Sequence, residues 1–222
     1  MPDSAPYVLY TIGHSTHDAE KVLDWLAYYG VTAVADVRSV PFSRAAPQFS
    51  QQPFRNALRS RRIAYVFLGE ELGGRSTDPD HYESGKIRYD RLSTSEKFND
   101  GIARLHSGIA RYSIALMCAE GDPLRCHRSI LVCRHLRSSN LHIAHILSSG
   151  ALETHEALEQ RLLRQAGVPE GTVFPNANAV LERAYDSQGE RIAYRLDQIP
   201  TARGVTADAH PYLDDRFYQD ER

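Results

Sequence analysis

The feature that most constrains this chain is a repeated alternation of short β-prone apolar runs with amphipathic helical stretches. Tyr7 to Ile12 is such a run, ending at Gly13, and Val22, Leu23, Leu26 and Tyr29 then recur at helical spacing until Gly30 stops the pattern. Ser15, with Asp18 three residues on, has the form of a capping box at the start of that helix. The grammar repeats. Thr32 to Val37 and Ile63 to Leu68 read as strands two and three, with a helix over Ser50 to Arg61 between them that turns Phe54, Ala57 and Leu58 inward. Tyr112 to Cys118 and His142 to Leu147 read as strands four and five. Before the fourth, Ser93 and Glu96 cap a helix carrying Phe98, Ile102, Leu105 and Ile109; after it, Asp122 and Pro123 start a helix over Leu124 to Arg137. Parallel strands need crossover connections that cover both faces of the sheet. The expectation is therefore an α/β fold, a Rossmann-like three-layer α/β/α sandwich with a mainly parallel five-stranded sheet.

At 222 residues and 42% hydrophobic content, the chain has enough apolar surface for one sizeable core. The expected division is an α/β domain over residues 7–165 and a C-terminal extension over 166–222. In that extension residues 178–197 read as a helix or a hairpin, and a tail begins near Thr201. Gly69 to Leu92 reads as a long polar loop, a length that in a compact domain points to function or mobility. No apolar run reaches the roughly 20 residues of a membrane helix, and the start lacks a basic and hydrophobic leader, so a cytoplasmic protein without membrane partners is expected. The three cysteines, Cys118, Cys126 and Cys133, are odd in number and clustered, which favours reduced thiols over a disulfide framework. A net charge of −2 excludes a surface that is wholly a polyanion footprint but leaves room for a local basic pocket.

In open parallel sheets ligands bind at the carboxyl ends of the strands, and here those ends are loaded with polar groups. The first supplies Gly13, His14 and Ser15, and the second Asp36, Arg38, Ser39, Ser43 and Arg44. The third supplies Gly69, Glu70, Glu71, Gly73, Gly74 and Arg75, and the fourth Cys118, Glu120, Asp122, Arg125, Cys126, His127 and Arg128. Guanidinium forks pair with phosphate or carboxylate, and helix starts behind Gly13 and Pro123 would add N–H donors, so an anionic ligand with phosphate foremost is expected. Arg38, Ser39, Arg44, Arg75 and Arg128, with Gly13, Ser15, Gly73 and Gly74, are the candidate binding residues.

His14 and His127 are candidate acid/base groups, assisted by Asp36 and Glu120, because imidazole titrates near neutrality. Cys118, at a strand end before a helix start, reads either as a nucleophile or as a buried structural cysteine. Six residues separate it from Arg125, one more than a phosphatase-type loop has. Cys126 and Cys133 read as packing residues on the fourth helix. No metal site is expected, since Cys126 and His127 would point about 100° apart on a helix. No cofactor is expected either: neither GxGxxG after the first strand nor GxxxxGK[ST] occurs.

The post-strand motifs, Thr11-Ile-Gly-His-Ser15, Asp36-Val-Arg-Ser39 with Pro41-Phe-Ser-Arg44 and Pro47, Leu72-Gly-Gly74, and Cys118-Ala-Glu120 with Pro123 and Cys126-His-Arg128, together resemble the DUF488 family of bacterial and archaeal proteins. The resemblance runs over about residues 8 to 165, with the last fifty or so similar to the variable extension found after that domain. It implies an α/β/α sandwich with one pocket built from these motifs, and carries no settled activity. Two functions remain as expectations. One is a hydrolase or transferase acting on a phosphate-bearing nucleotide or nucleic-acid-derived substrate. The other is a non-catalytic nucleotide or nucleic-acid binding module using Arg55, Arg59, Arg61 and Arg62 with Phe42, Phe49 and Tyr82 as stacking groups. A third reading, thiol redox sensing, needs Cys118 and Cys126 within disulfide reach.

Overall fold

The computed structural model describes residues 7–137, 141–169, 171–172 and 175–196; the tail expected from Thr201 lies outside them. All five expected strands form: Tyr7–Gly13 (β1), Ala33–Asp36 (β2), Ala64–Phe67 (β3), and, beyond a small hairpin, Ile114–Cys118 (β6) and Leu141–Ile146 (β7). A sixth strand, Leu152–Thr154 (β8), pairs antiparallel to β7 and completes a sheet of order β3-β2-β6-β1-β7-β8 that is otherwise parallel. At three residues, β8 is too short to show an alternation in sequence.

The hairpin, Tyr82–Glu83 (β4) and Lys86–Ile87 (β5), lies within the stretch that reads as a polar loop. That stretch also holds two single-turn helices, Gly69–Leu72 (α3) and Tyr89–Leu92 (α4). The C-terminal extension keeps it in place: Ile87 N–H donates to the Tyr194 carbonyl at 2.9 Å and Leu196 N–H to that of Gly85 at 2.8 Å.

Helices cover both faces. Ala19–Tyr28 (α1) and Gln51–Ser60 (α2) bury Val22, Leu23, Leu26, Phe54 and Leu58 against Ile12, Val34, Ala115 and Met117. Glu96–Ile109 (α5) buries Phe98, Leu105 and Ile109 on the other face, against Leu9, Ala35 and Leu116. Odd and even positions of β6 thus serve opposite layers, as a pleated strand requires. Cys118 belongs to the α5 face. The chain leaves β1 and β2 toward the β3 edge but leaves β6 toward the β8 edge, so the winding reverses at the centre of the sheet, where a ligand crevice belongs.

Three local expectations are corrected. Ser15 does not cap α1: Asp18 occupies the N-cap position, and Ser15 adopts a left-handed φ of 47° while its N–H donates to the Ala119 carbonyl. Ser95, not Ser93, caps α5, accepting from Phe98 N–H. The expected helix over Leu124 to Arg137 is broken. A single 3₁₀ turn, Pro123–Arg125, is capped by Asp122; Cys126 is then extended (φ −134°, ψ 137°); a π-helical turn, Arg128–Cys133, and a short helix, Arg134–Leu136 (α6), follow. Propensity favours a continuous helix here, but the buried guanidinium of Arg128 and the sulfur of Cys126 both turn back to the end of β6, which a regular helix does not allow.

The C-terminal part is integral to the fold. His155–Gln165 (α7), capped by Thr154, and Ala177–Ile192 (α8) pack Leu158, Leu162, Ala184 and Tyr185 onto Leu124 and Ile130. A buried polar chain continues the connection: Thr11 Oγ1 contacts His145 Nδ1 at 2.8 Å, His145 Nε2 contacts His155 Nδ1 at 3.0 Å, and His155 Nε2 meets the Tyr185 hydroxyl at 3.0 Å. Tyr185 in turn donates to Glu159 at 2.9 Å.

Burial and the nearby Arg137 charge lower the pKa of His155 from 6.5 to about 4, and burial with His155 lowers that of His145. Both imidazoles are neutral when folded and take up protons on unfolding below pH 6.5. Their contribution to stability is therefore complete above about pH 6.5 and is lost as pH falls toward 4. Each proton taken up costs ~1.4 kcal/mol of stability per pH unit. Urea denaturation across this window should show a fall in unfolding free energy that His155→Gln makes shallower by about one proton.

Candidate active site

The ends of β1, β2 and β6 lie side by side, with Gly13 paired to Cys118 and Asp36 to Met117. The first loop is locked onto the β6 loop, since His14 N–H donates to the Cys118 carbonyl and Ser15 N–H to that of Ala119, both at 2.9 Å. A Cβ on Gly13 would lie 1.8 Å from the Glu120 carbonyl oxygen, so this position needs glycine for close approach of two backbones. The expected anion-binding role of Gly13 and Ser15 is thereby corrected, because their loop's N–H groups are already bonded. Asp122 similarly occupies the Leu124 N–H at the other expected anion nest.

Asp36 and Arg38 form a buried bidentate pair, Nε to Oδ1 at 2.8 Å and Nη2 to Oδ2 at 2.6 Å, with Arg38 Nη2 also donating to the Phe49 carbonyl and Tyr65 to Asp36. Burial works against the Arg38 charge, but Asp36 outweighs it and the guanidinium stays protonated. Its remaining nitrogen, Nη1, donates to His14 Nε2 at 3.2 Å. His14 Nδ1 bonds the Ser15 carbonyl at 2.8 Å, so the proton resides on Nδ1 and Nε2 is an acceptor. Burial and the Arg38 charge lower the His14 pKa from 6.5 to about 4. Stacked on Phe49 with ring centroids 4.4 Å apart, His14 is a neutral acceptor that orients Arg38. That corrects its reading as an acid/base group near neutrality, and Asp36 is an ion-pair partner, not a proton carrier.

Around this wall opens a cavity of about 420 Å³. His14, Arg38, Ser39, Cys118, Glu120 and His127 reach it, as expected from the strand ends. Gly74 also lines it, though a Cβ there would meet the His127 ring at 2.8 Å: its glycine lets the loop cover that ring. Gly73 is held by Gly69 and Ser39 and stands outside the cavity lining. Arg44 is exposed away from the cavity, and Arg128 is fully buried behind it, donating to the Glu120 carbonyl at 2.6 Å, the Gly121 carbonyl at 3.3 Å and Thr11 at 3.3 Å. Neither presents its charge to a ligand in the cavity, which corrects their expected role. Arg75 and Arg125 do so. Arg75 stacks over Tyr194, 4.2 Å from the ring centroid, and neither guanidinium has a carboxylate partner among the described residues.

On the cavity floor the Cys118 thiol donates to Glu120 Oε2 at 3.0 Å and lies 3.7 Å from His127 Nδ1. His127 Nε2 donates to the Val37 carbonyl at 2.9 Å, and Arg128 N–H donates to the Cys126 sulfur at 3.4 Å. Hydrogen bonding to Cys126, burial, and the charges of Cys126 and Glu120 hold the Cys118 thiol well above its usual range, against a thiolate nucleophile at that position. Burial also disfavours charge on Cys126, yet the Cys118 thiol, Arg128 and His127 outweigh it and hold the Cys126 thiol below its usual range. Glu120 is raised by burial and by Cys126. Burial disfavours a charged His127, but Cys126 and Glu120 together raise it.

A family model described as "Domain of unknown function DUF488" matches residues 18–134. The chain belongs to this family. No curated protein and no solved structure matches it. Asp36, Arg38, Arg75, Cys118, Glu120, Cys126 and His127 lie within the matched stretch of this DUF488 chain, whereas Ile192 and Tyr194, which close one side of the cavity, come from beyond it.

The sequence reading missed Tyr89, Ile192 and Tyr194 at the cavity; Cys126, expected to pack, is buried in the core on the α5 side and stands beside Cys118, Glu120 and His127 as well. No signal marks the first three, since an aromatic or apolar residue at a helix end carries no ligand signature. The Asp122-Pro123 start with Cys126 three residues later was the available hint that the turn is short.

Gly13→Ala should cost about 3 kcal/mol or more in urea denaturation, by forcing the β1 and β6 loops apart. The imidazole resonances of His14 should show no titration between pH 5.5 and 8 by NMR, with the proton on Nδ1 throughout.

Proposed function

We propose that this DUF488 protein is an enzyme, a hydrolase or transferase, acting on an anionic, phosphate-bearing nucleotide or nucleic-acid-derived substrate. The observation that carries this reading is a charge division within one cavity. Arg75 and Arg125, neither paired with a carboxylate among the described residues, stand at its mouth, and the reactive group Cys118, Glu120 and His127 lies at its floor. The volume of about 420 Å³ falls in the range of small-molecule sites. Phe42, 56% exposed at the rim, together with Tyr89 and Tyr194, offers faces for a planar base.

In this reading Arg75 and Arg125 hold the phosphate, with Ser39 and Ser43 as neutral donors. Glu120 moves the proton: it is the acid on the floor that opens to the cavity, and its raised pKa suits a general acid/base. Arg38, fixed by Asp36 and oriented by His14, sets the positive potential of the wall without depending on a ligand for its geometry.

The binding-module alternative has fewer groups to draw on. Phe49 is buried under His14, and Arg61 is paired with Glu20 and Asp24.

A thermal-shift screen against inorganic phosphate, nucleotides, sugar phosphates and short oligonucleotides tests the reading. A ligand at a hundredfold excess over Kd should add ~2.7 kcal/mol of stability. Arg75→Ala combined with Arg125→Ala should abolish the shift. Glu120→Gln should retain binding while turnover falls by roughly 10²-fold or more. Binding unchanged in the double arginine variant would overturn the assignment, and a shift by oligonucleotides alone with no turnover would favour the binding module.

A further inference from the structure

We propose that Cys118, Cys126 and His127 form a binding site for a zinc-class divalent transition-metal ion, with the Glu120 carboxyl beside its open fourth position. The inference stands whether or not the cavity takes a phosphate-bearing ligand.

The donor atoms are already gathered. The two sulfurs, a carboxylate oxygen of Glu120 and an imidazole nitrogen of His127 all lie within 4.8 Å of one another. The objection from sequence, that Cys126 and His127 diverge on a helix, fails on the observed backbone. Cys126 is extended between a 3₁₀ turn and a π-helical turn, and its side chain returns to the end of β6. Irregular π-helical turns recur at functional sites, because they aim side chains that a regular helix would separate.

The outer contacts are those that a metal site needs. His127 Nε2–H donates to the Val37 carbonyl at 2.9 Å, which leaves Nδ1 as the bare nitrogen facing Cys118. A ligating histidine is held in this way by a backbone carbonyl on its other nitrogen. The Cys126 sulfur accepts from Arg128 N–H at 3.4 Å, and the ring of His127 is covered by Gly74, where any side chain would collide with it. Two of the donor side chains, His127 and Cys126, are therefore oriented by groups outside the cluster.

Chemistry selects the ion. Two sulfurs and an imidazole suit zinc and its neighbours and do not suit magnesium or calcium, which take oxygen. The two thiols and the imidazole are buried, while Glu120 opens to the cavity. Three fixed ligands with an exchangeable fourth position is the arrangement of a catalytic zinc site, not of a closed structural one. Binding displaces the thiol protons to solvent and leaves the oxidation state of sulfur and metal unchanged. Cys118 is then a ligand, which accounts for a cysteine at the cavity floor without requiring it to attack substrate.

The test uses the full chain, reduced, freed of metal with a chelator and titrated with Co²⁺ and then Zn²⁺. One Co²⁺ per chain should bind with sulfur-to-cobalt charge-transfer bands in the near ultraviolet and the strong visible bands of a four-coordinate site, and Zn²⁺ should bleach both. Cys118→Ser and Cys126→Ser should each weaken the charge-transfer bands, and Cys133→Ala should leave them intact. Because the cysteine variants risk misfolding, X-ray absorption of the zinc-loaded wild type supplies a second reading, with two sulfur neighbours expected at ~2.3 Å. Absence of charge-transfer bands in folded wild type, a zinc shell of nitrogen and oxygen alone, or bands unaffected in both cysteine variants would each overturn the proposal.

Discussion

The guanidinium of Arg128 is buried beneath the carboxyl edge of the sheet, and both central strand ends are arranged around it. It donates to the Glu120 and Gly121 carbonyls and to Thr11, so it fixes the β6 loop and the end of β1 together. A buried cation is costly unless it is hydrogen-bonded and its charge is answered. Among the described residues no carboxylate pairs with it directly. Its charged state is favoured by the surrounding carbonyls and by the nearby acidic side chains, Cys126 foremost. The fold's need to neutralise Arg128 and the site's concentration of acidic donors are thus one electrostatic arrangement. Replacing Arg128 by a neutral side chain would remove both the loop anchor and the field that favours an ionised Cys126.

A second buried pair, Asp36 with Arg38, makes the opposite wall. Here the charges answer one another within hydrogen-bond distance, and Tyr65, the Phe49 carbonyl and His14 take up the remaining donors and acceptors. Such a satisfied network is rigid, because any rotation leaves a buried polar group unpaired. The cavity therefore has one wall whose positive end is held independently of ligand, and a floor whose donors are converged but carry exchangeable protons.

The C-terminal extension joins this arrangement through two routes. The chain Thr11, His145, His155 and Tyr185 carries hydrogen bonds from the Arg128 neighbourhood to α8, and beyond α8 the backbone pairs with β5 so that Tyr194 lies under Arg75. A change in the extension would therefore reach the cavity mouth directly. The same pairing organises the Gly69 to Leu92 stretch, whose polar composition alone suggests an unstructured loop.

The α/β alternation, the five parallel strands and the collection of His14, Asp36, Arg38, Cys118, Glu120 and His127 at one edge were determined by the sequence itself. Period and propensity act locally, and parallel strands with crossover helices leave their carboxyl ends together. What each side chain does was decided only by the tertiary structure. Arg38, Arg75 and Arg128 are equivalent as letters, yet one is an ion-pair wall, one a cavity cation and one a buried anchor, because that depends on which backbone carbonyls and carboxylates the packing brings near. His14 is neutral for the same reason: burial and a neighbouring guanidinium are properties of the assembled edge. The break at Cys126 is the clearest case. Local preference favours a helix from Leu124 onward, and it yields to the long-range demand of Arg128 for the β6 carbonyls, which brings a sulfur that packs in the core beside Cys118, Glu120 and His127.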